Sequence, residues 1–474
     1  MAKKELLTFP DFVTFSDTDK LFGYSTSAGS PGFFRGDSIM RGGYACRRWN
    51  TGYATPAGEA VGNIDYLRNL PGMLGLGCYL VDENHGRRKL DPTNHYKLTT
   101  GGTAALDGSM GDYMWGWVTP WYYAWWVEGS YFYEAVGLTP IPGKPNYKIP
   151  VASTSALGVS VIDRDAQKMV SVINTSARYR GLDNGTTAQS YDGTYRSLLG
   201  RAATNETCAK YGEYARNKGA DWEGYWFGMH AAIGILTRII FGNRNIQAAY
   251  NANKDANGLY QGGLGPGVTE YSGSNWDSHF AYYPFLPTSV GVELADGVGV
   301  VNFAVLNDSS TTLHTAKVPV FFGLKNFYGY LGRRGRGELI SKIAGGAGEH
   351  YVCPSLYSPY SMSSLAGMIK ANTVPATPTA NTWTYISQMA MQNLAASPTV
   401  LNGTSATFYC DAFYNDNAAS GLRVPYRGGS ANDGAIAGLG CLSVYNAASA
   451  VNVNIGSPLC EANEDWSPVA FTVS

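Results

Sequence analysis

The sequence predicts an α+β fold, and three observations carry that prediction. Short runs that alternate apolar and polar residues fill the stretch up to about residue 174. Two helix-like segments follow between Thr204 and Gly242. Beyond Gly258 the chain is dominated by Gly, Tyr, Asn and short β-like runs to its end. Strands, then two helices, then a long loop-rich β half is the order of an α+β chain rather than of alternating βαβ units.

Taken in order, the first hundred or so residues are rich in Gly, Arg and Tyr, as in "GSPGFFRGDSIMRGGYACRRWNTGY". They show no sustained helical period and are expected as loops and short strands, a β/loop-rich attachment region over residues 1–110 set before a domain over 111–474. From Tyr113, "YMWGWVTPWYYAWWVEGSYFYEAVGL" has the aromatic density of a buried strand pair, with a sugar-stacking platform as the alternative. "YKIPVASTSALGVSVIDRDAQKMVSVIN" alternates as strands do. "TNETCAKYGEYARNKG" is a helix with Thr204 as N-cap and Gly219 beyond its end. "DWEGYWFGMHAAIGILTRIIFG", capped by Asp221 and closed by Gly242, is apolar nearly all round and so expected to be buried. "NTVPATPTANTW" is a connecting surface loop.

Composition narrows the function. The 474 residues include 58 Gly, 33 Tyr and 11 Trp, and only 15% are charged, a profile closer to an extracellular or virion protein than to a cytosolic metabolic enzyme. A net charge of −1 offers no attraction for nucleic acid or for an anionic membrane. The N-terminal "MAKKELLTFPDFVTFSDTDK" lacks the apolar core of a secretory signal, and "GMHAAIGILTRIIFG" is too short to span a bilayer and holds Arg238. No membrane insertion is expected. The seven cysteines (46, 78, 208, 353, 410, 441 and 460) are dispersed and include no C-x-x-C pair, which reads as free, buried thiols in a chain folded in a cytoplasm.

Catalytic and metal motifs are sparse. Gly36-Asp37-Ser38-Ile39 resembles the nucleophile block of GDSL-type hydrolases but lacks a correctly spaced D-x-x-H partner, and a turn is the simpler reading. The six histidines (85, 95, 230, 279, 314 and 350) lie apart in sequence without zinc-ligand spacing, so no metal and no cofactor is expected. "RRGRGELISK", Arg333 to Lys342, is expected to be a solvated basic face. The chain is not expected to be an enzyme.

The stretch Gly421 to Cys460, "GLRVPYRGGSANDGAIAGLGCLSVYNAASAVNVNIGSPLC", contains no Lys, Glu, Gln, Met or Trp. Those five types make up 57 of the 474 residues, so forty positions should hold roughly five of them. As a strand, Gly438 to Tyr445 places Leu439, Cys441, Ser443 and Tyr445 on one face and Gly440, Leu442 and Val444 on the other.

This stretch resembles the C-terminal variable region of C-type-lectin-fold proteins diversified by diversity-generating retroelements, of the gut-phage and Bacteroidota type. The matching residues are Leu422-Arg423-Val424, Arg427-Gly428-Gly429-Ser430, Asn432, Gly434, Ala437-Gly438, Asn446-Ala447-Ala448-Ser449 and Asn454-Ile455-Gly456. Looser matches lie upstream in "NYKIPVASTSALGVSVIDRDAQKMVSVINTSARYRG", "GYWFGMHAAIGILTRIIFGNRNIQAAYN" and "FFGLKNFYGYLG".

The resemblance implies a C-type lectin-like domain, related to that of formylglycine-generating enzymes, over residues 111–474 with a variable region at about 421–460. It also implies a mechanism. An error-prone reverse transcriptase changes template adenines, so AAC codons become NNC codons, which exclude those five residue types. The positions that depart from the pattern would be variable and ligand-binding: Pro425, Tyr426, Ala431, Asp433, Ile436, Ser443, Tyr445, Ala450, Val451 and Val453, with Leu439 and Cys441 weaker. Tyr426 and Tyr445 are the expected anchors. Arg423, Arg427, Gly428, Gly429, Asn432, Asn446, Asn454 and Gly456 would form the constant scaffold.

The implied function is a phage virion adhesin, on a tail or head fibre, that binds host cell-surface protein or glycan. Its N-terminal region would contact other virion structural proteins, and a homotrimer would add avidity. A non-diversified structural decoration or fibre protein is the alternative, and a formylglycine-generating-type oxidase a remote one.

Overall fold

The structure, a computed structural model, describes residues 20–25, 30–35, 43–181, 194–307, 309–343, 345–379 and 381–473. The Gly36-Asp37-Ser38-Ile39 stretch lies outside the described residues. Strand accounts for 37% of the structure and helix for 14%. This overturns the α+β, C-type lectin-like architecture with two helices that the sequence predicted. The chain is mostly β, built from many small sheets, with four α-helices among the described residues: α1 Ile64–Leu74, α2 Cys208–Arg216, α3 Phe227–Phe241 and α4 Gly273–Phe280. Beyond Gly258, where short β-like runs are expected, the strands run from two to ten residues, and several pair across long sequence distances.

Two large sheets organise the first half. One has six strands in the order Phe471–Thr472, Pro145–Ile149, Trp121–Glu128, Tyr131–Gly137, Tyr44–Asn50 and Glu59–Gly62. The other has seven, in the order Trp222–Glu223, Cys460–Ala462, Ala152–Ser155, Asp112–Gly116, Gly77–Val81, Arg87–Asp91 and Asn94–Leu98. The aromatic segment is a buried strand group, with Trp115, Trp117 and Trp121 sealed from solvent. Both sheets run across position 110: Gly77–Val81 pairs with Asp112–Gly116, and Tyr44–Asn50 with Tyr131–Gly137. One hydrophobic core extends from Ala45 to Trp466, so no separate core begins at residue 111 among the described residues.

The helix α3 lies at the centre, with every residue but Arg238 buried. Its ends follow from local chemistry. Trp226 occupies the N-cap without a side-chain hydrogen bond, whereas Asp221, the expected cap, pairs with His85 instead. At the other end Gly242 turns left-handed at φ 64°, and Arg47 donates to the terminal carbonyls of Ile239 (2.9 Å) and Ile240 (3.3 Å). A Cβ on Gly242 would sit 2.6 Å from that guanidinium. Within the apolar surround, Arg238 forms a two-pronged pair with buried Glu134 at 2.7 and 2.9 Å. The helix α2 is capped by Thr207, whose hydroxyl accepts from the Lys210 amide at 3.1 Å, rather than by Thr204. No helix among the described residues is long and apolar enough to cross a membrane.

The C-terminal half forms a third sheet, ordered Thr382–Tyr385, Ala412–Asn415, Gly438–Ser443, Tyr426–Gly428, Gly332–Arg334 and Ile455–Gly456. Beside it lies a four-stranded sheet of Ile369–Val374, Gly348–Val352, Glu338–Lys342 and Gly421–Arg423.

Candidate ligand-binding surface of the C-terminal segment

The segment 421–460 rests on a buried charged frame. Arg333, Arg334, Arg336, Glu338 and Lys342 are all buried, which reverses the expectation that Arg333 to Lys342 form a solvated face. The carboxylate of Glu338 accepts two hydrogen bonds from Arg427, at 2.8 and 2.6 Å, and one from His350 at 2.9 Å. His350 is in turn held by the Ser397 hydroxyl at 2.6 Å. Burial alone would raise the pKa of Glu338, but the Arg427 guanidinium and the His350 hydrogen bond hold it far below the usual carboxylate range. Burial keeps the His350 pKa below its ordinary value despite that carboxylate. Arg334 reaches the Ala450 carbonyl at 2.6 Å, and Arg336 pairs with Glu223 at 3.0 Å. The sequence identified Arg427 as scaffold but not Glu338 or His350, which lie 89 and 77 residues before it.

The scaffold residues hold the backbone in place. Gly428 and Gly429 make a bulged turn at φ 87° and 69°. The Asn446 carbonyl accepts from Val424 at 2.9 Å, and that of Asn454 from Gly332 at 3.0 Å. Gly456 pairs in parallel with Arg333. Arg423 lies half-buried on its strand and donates to the Leu422 carbonyl at 3.0 Å. Exposed Asn432 accepts from the Ser430 hydroxyl, which also receives Asn454 Nδ2 at 3.4 Å.

The ten candidate variable positions divide by burial. Pro425, Tyr426, Ala431 and Ser443 are buried, as are Leu439 and Cys441. Asp433, Ile436, Ala450 and Val453 are half-buried. Only Tyr445 (50% exposed) and Val451 (45%) stand well into solvent. Tyr426, expected as an anchor, is 6% exposed; its ring lies where a Cβ on Gly332 would be, 1.7 Å from the nearest ring carbon. Its hydroxyl donates to Asp433 at 2.9 Å, and the same carboxylate accepts from the Ser430 amide (2.6 Å) and hydroxyl (2.9 Å). Desolvation raises the pKa of both Tyr426 and Asp433.

The strand parity is only partly realised. Leu442 enters a small core with Phe413 and Ile340, but the opposite face is covered as well, and only Tyr445, past the strand end, emerges. There it joins two residues that the sequence did not single out. Tyr414 lies 5.9 Å from Tyr445 and 5.3 Å from Trp383, ring centre to ring centre. Their signal was the alternation in "TWTY" and "AFYN", too short to stand out from the many aromatic pairs in this chain.

Two other clusters of polar and ligating side chains lie elsewhere in the fold. The cavity lined by His230, Asp411, Leu439 and Gly440 holds about 20 Å³, room for a water molecule but not for a sugar or a side chain. Cys78, His95 and Asp296 bring three ligand atoms within 4.8 Å of one another, a grouping not visible in the sequence. Their donors are already engaged: Asp296 accepts from Lys89 (2.7 Å) and from the Cys78 amide (2.8 Å), and His95 bridges Asp296 (2.9 Å) and Tyr113 (2.6 Å). Burial pushes the Cys78 thiol up to about 12, away from the thiolate that binds metal. All seven cysteines are buried and unpaired. No protein-family model matches the chain, and no curated protein does either.

Proposed function

We propose that the chain is a receptor-binding protein of a phage virion whose C-terminal segment is varied by adenine-directed mutagenic reverse transcription on a fixed frame. The observation that carries this reading is the contrast within one segment. Arg427 is locked to Glu338 in the interior, while Tyr445 and Val451 project from backbone pinned by Val424 and by Arg334. A surface that must change its side chains without unfolding needs that division. The absence of five residue types from forty positions supports the same reading. Attachment through the N-terminal region to other virion proteins, and a homotrimer that multiplies weak contacts, belong to the proposal.

Deep sequencing of the gene's 3′ end across a propagated population tests it. Substitutions confined to template adenines, concentrated at Tyr445, Ala450, Val451, Val453, Asp433 and Ile436, are the expected result. A uniform 3′ end with no template copy beside a reverse transcriptase gene would sink it. The burial of Pro425, Tyr426, Ala431 and Ser443 favours a second reading, a virion decoration with no diversification, and the uniform outcome is the one it requires.

A further inference from the structure

We propose that Trp383, Tyr414 and Tyr445 form a stacking subsite for a neutral sugar ring, two constant aromatics beside one variable position. The proposal deepens the adhesin reading and rests on it. Trp383 and Tyr414 are direct cross-strand partners, and Tyr414 pairs in parallel with Ser443. Tyr445, two residues further on, lies on the same side. Their neighbours Phe413 and Leu442 turn into the core, so the row lies on the outer face of the sheet. The rings meet at tilted or edge-on angles of 53° and 79°, so none is stacked flat on its neighbour, and Trp383 and Tyr414 are half-buried while Tyr445 is exposed.

The chemistry of the surroundings selects the ligand. Across residues 371–460 the only charged side chains are Asp411, Asp416, Arg423, Arg427 and Asp433, and of these Asp411 and Arg427 are buried. An anionic or cationic partner would find little to pair with along this segment. A hexose presents a face of weakly positive C–H groups, which an electron-rich ring face attracts, and hydroxyls that Asn, Ser and Thr can match. Asn and Ser are frequent through the neighbouring segment, and half-buried Asn446 directly follows Tyr445. Trp383 and Tyr414 lie outside the segment that avoids Trp, so in the diversified reading they stay constant and supply the shared affinity. Tyr445 tunes which sugar is preferred.

The test uses the full-length protein on immobilised glycans, with mannan and amylose oligosaccharides as neutral probes and polysialic acid and heparin as anionic ones. Retention by a neutral probe, not by the anionic ones, is expected. The Trp383→Ala/Tyr414→Ala double variant should bind about tenfold more weakly, with Trp383→Phe restoring most of the loss and near-ultraviolet circular dichroism confirming the fold. Tyr445→Ala should reorder preference among the neutral probes. Failure to retain either neutral probe, equal binding by the double variant, or equal retention of the anionic probes would each overturn the subsite. Sequencing of the 3′ end is independent of these outcomes, so a varied 3′ end in a protein that ignores neutral glycans removes the subsite and leaves the adhesin reading intact.

Discussion

At the scale of single residues, burial separates frame from rim more sharply than residue type does. Glu338 and Arg427 are both sealed in the interior, and removing either leaves the other charge buried and unpaired. Glu338→Gln or Arg427→Met should therefore cost about 3–5 kcal/mol, read as a lower urea midpoint at unchanged slope. Tyr445→Ala and Val451→Ala should stay within about 0.5 kcal/mol of the parent, whereas Tyr426→Ala should lose about 3–5 kcal/mol by opening a cavity over Gly332.

A different residue-scale effect governs pH dependence. His85 joins Glu461 at 2.8 Å and Asp221 on its other nitrogen, and stacks on Trp222. The hydrogen bond to Glu461, aided by Asp221 and opposed by burial, lifts its pKa to about 8 from 6.5. A raised pKa means the folded state holds the proton more tightly. The contribution is thus complete below pH 6.5 and disappears as pH rises through about 8. Thermal midpoints should fall by about 1–2 °C between pH 6 and pH 9 from this group, and His85→Gln should flatten that slope. An unchanged slope in the variant would mean that other groups dominate.

Elements show what a single sequence discloses. The helix α3 was legible because an all-round apolar run ending in glycine has few other solutions, and its C-terminus fell at Gly242 as expected. Replacing Gly242 by Ala should destabilise by about 1–3 kcal/mol, since the left-handed backbone and the Arg47 guanidinium both oppose a Cβ. The helix α1 was missed, although Asn63 accepts from the Tyr66 amide, Leu67, Leu70 and Leu74 are buried at helical spacing, and Gly75 closes it. Pro71 and the surrounding Gly-rich stretch masked that period. The buried basic run was misread for a stronger reason: charge density argues for solvent, and only the distant partners Glu223 and Glu338-bound Arg427 show why Arg336 and its neighbours lie inside. Parity located Tyr445 but could not reveal that both faces of Gly438–Ser443 are covered, because cover comes from other segments.

For the whole molecule, long-range pairing decides the behaviour. The strands Gly77–Val81 and Tyr44–Asn50 pair directly with Asp112–Gly116 and Tyr131–Gly137, joining both large sheets across residue 111. A chain of residues 111–474 alone would expose the edge of Asp112–Gly116 and the buried face around Trp115. It should be insoluble or lack near-ultraviolet ellipticity, whereas an independently folding 111–474 would show that the first strands are dispensable. The α+β prediction failed at this scale, since short strands from remote positions leave almost no local signature.

The course of the chain after the segment 421–460 has its own consequence. Cys460–Ala462 inserts between Ala152–Ser155 and Trp222–Glu223, and Phe471–Thr472 closes the edge of the other large sheet. Any rewriting of the preceding codons is therefore read through to two strands on which both halves of the interior depend. A gene that shifts frame or stops early there yields a polypeptide with an open seam, prone to aggregation or proteolysis. If the segment is diversified as proposed, folding acts as a proofreader for the copying step, passing changes of side chain and rejecting changes of length.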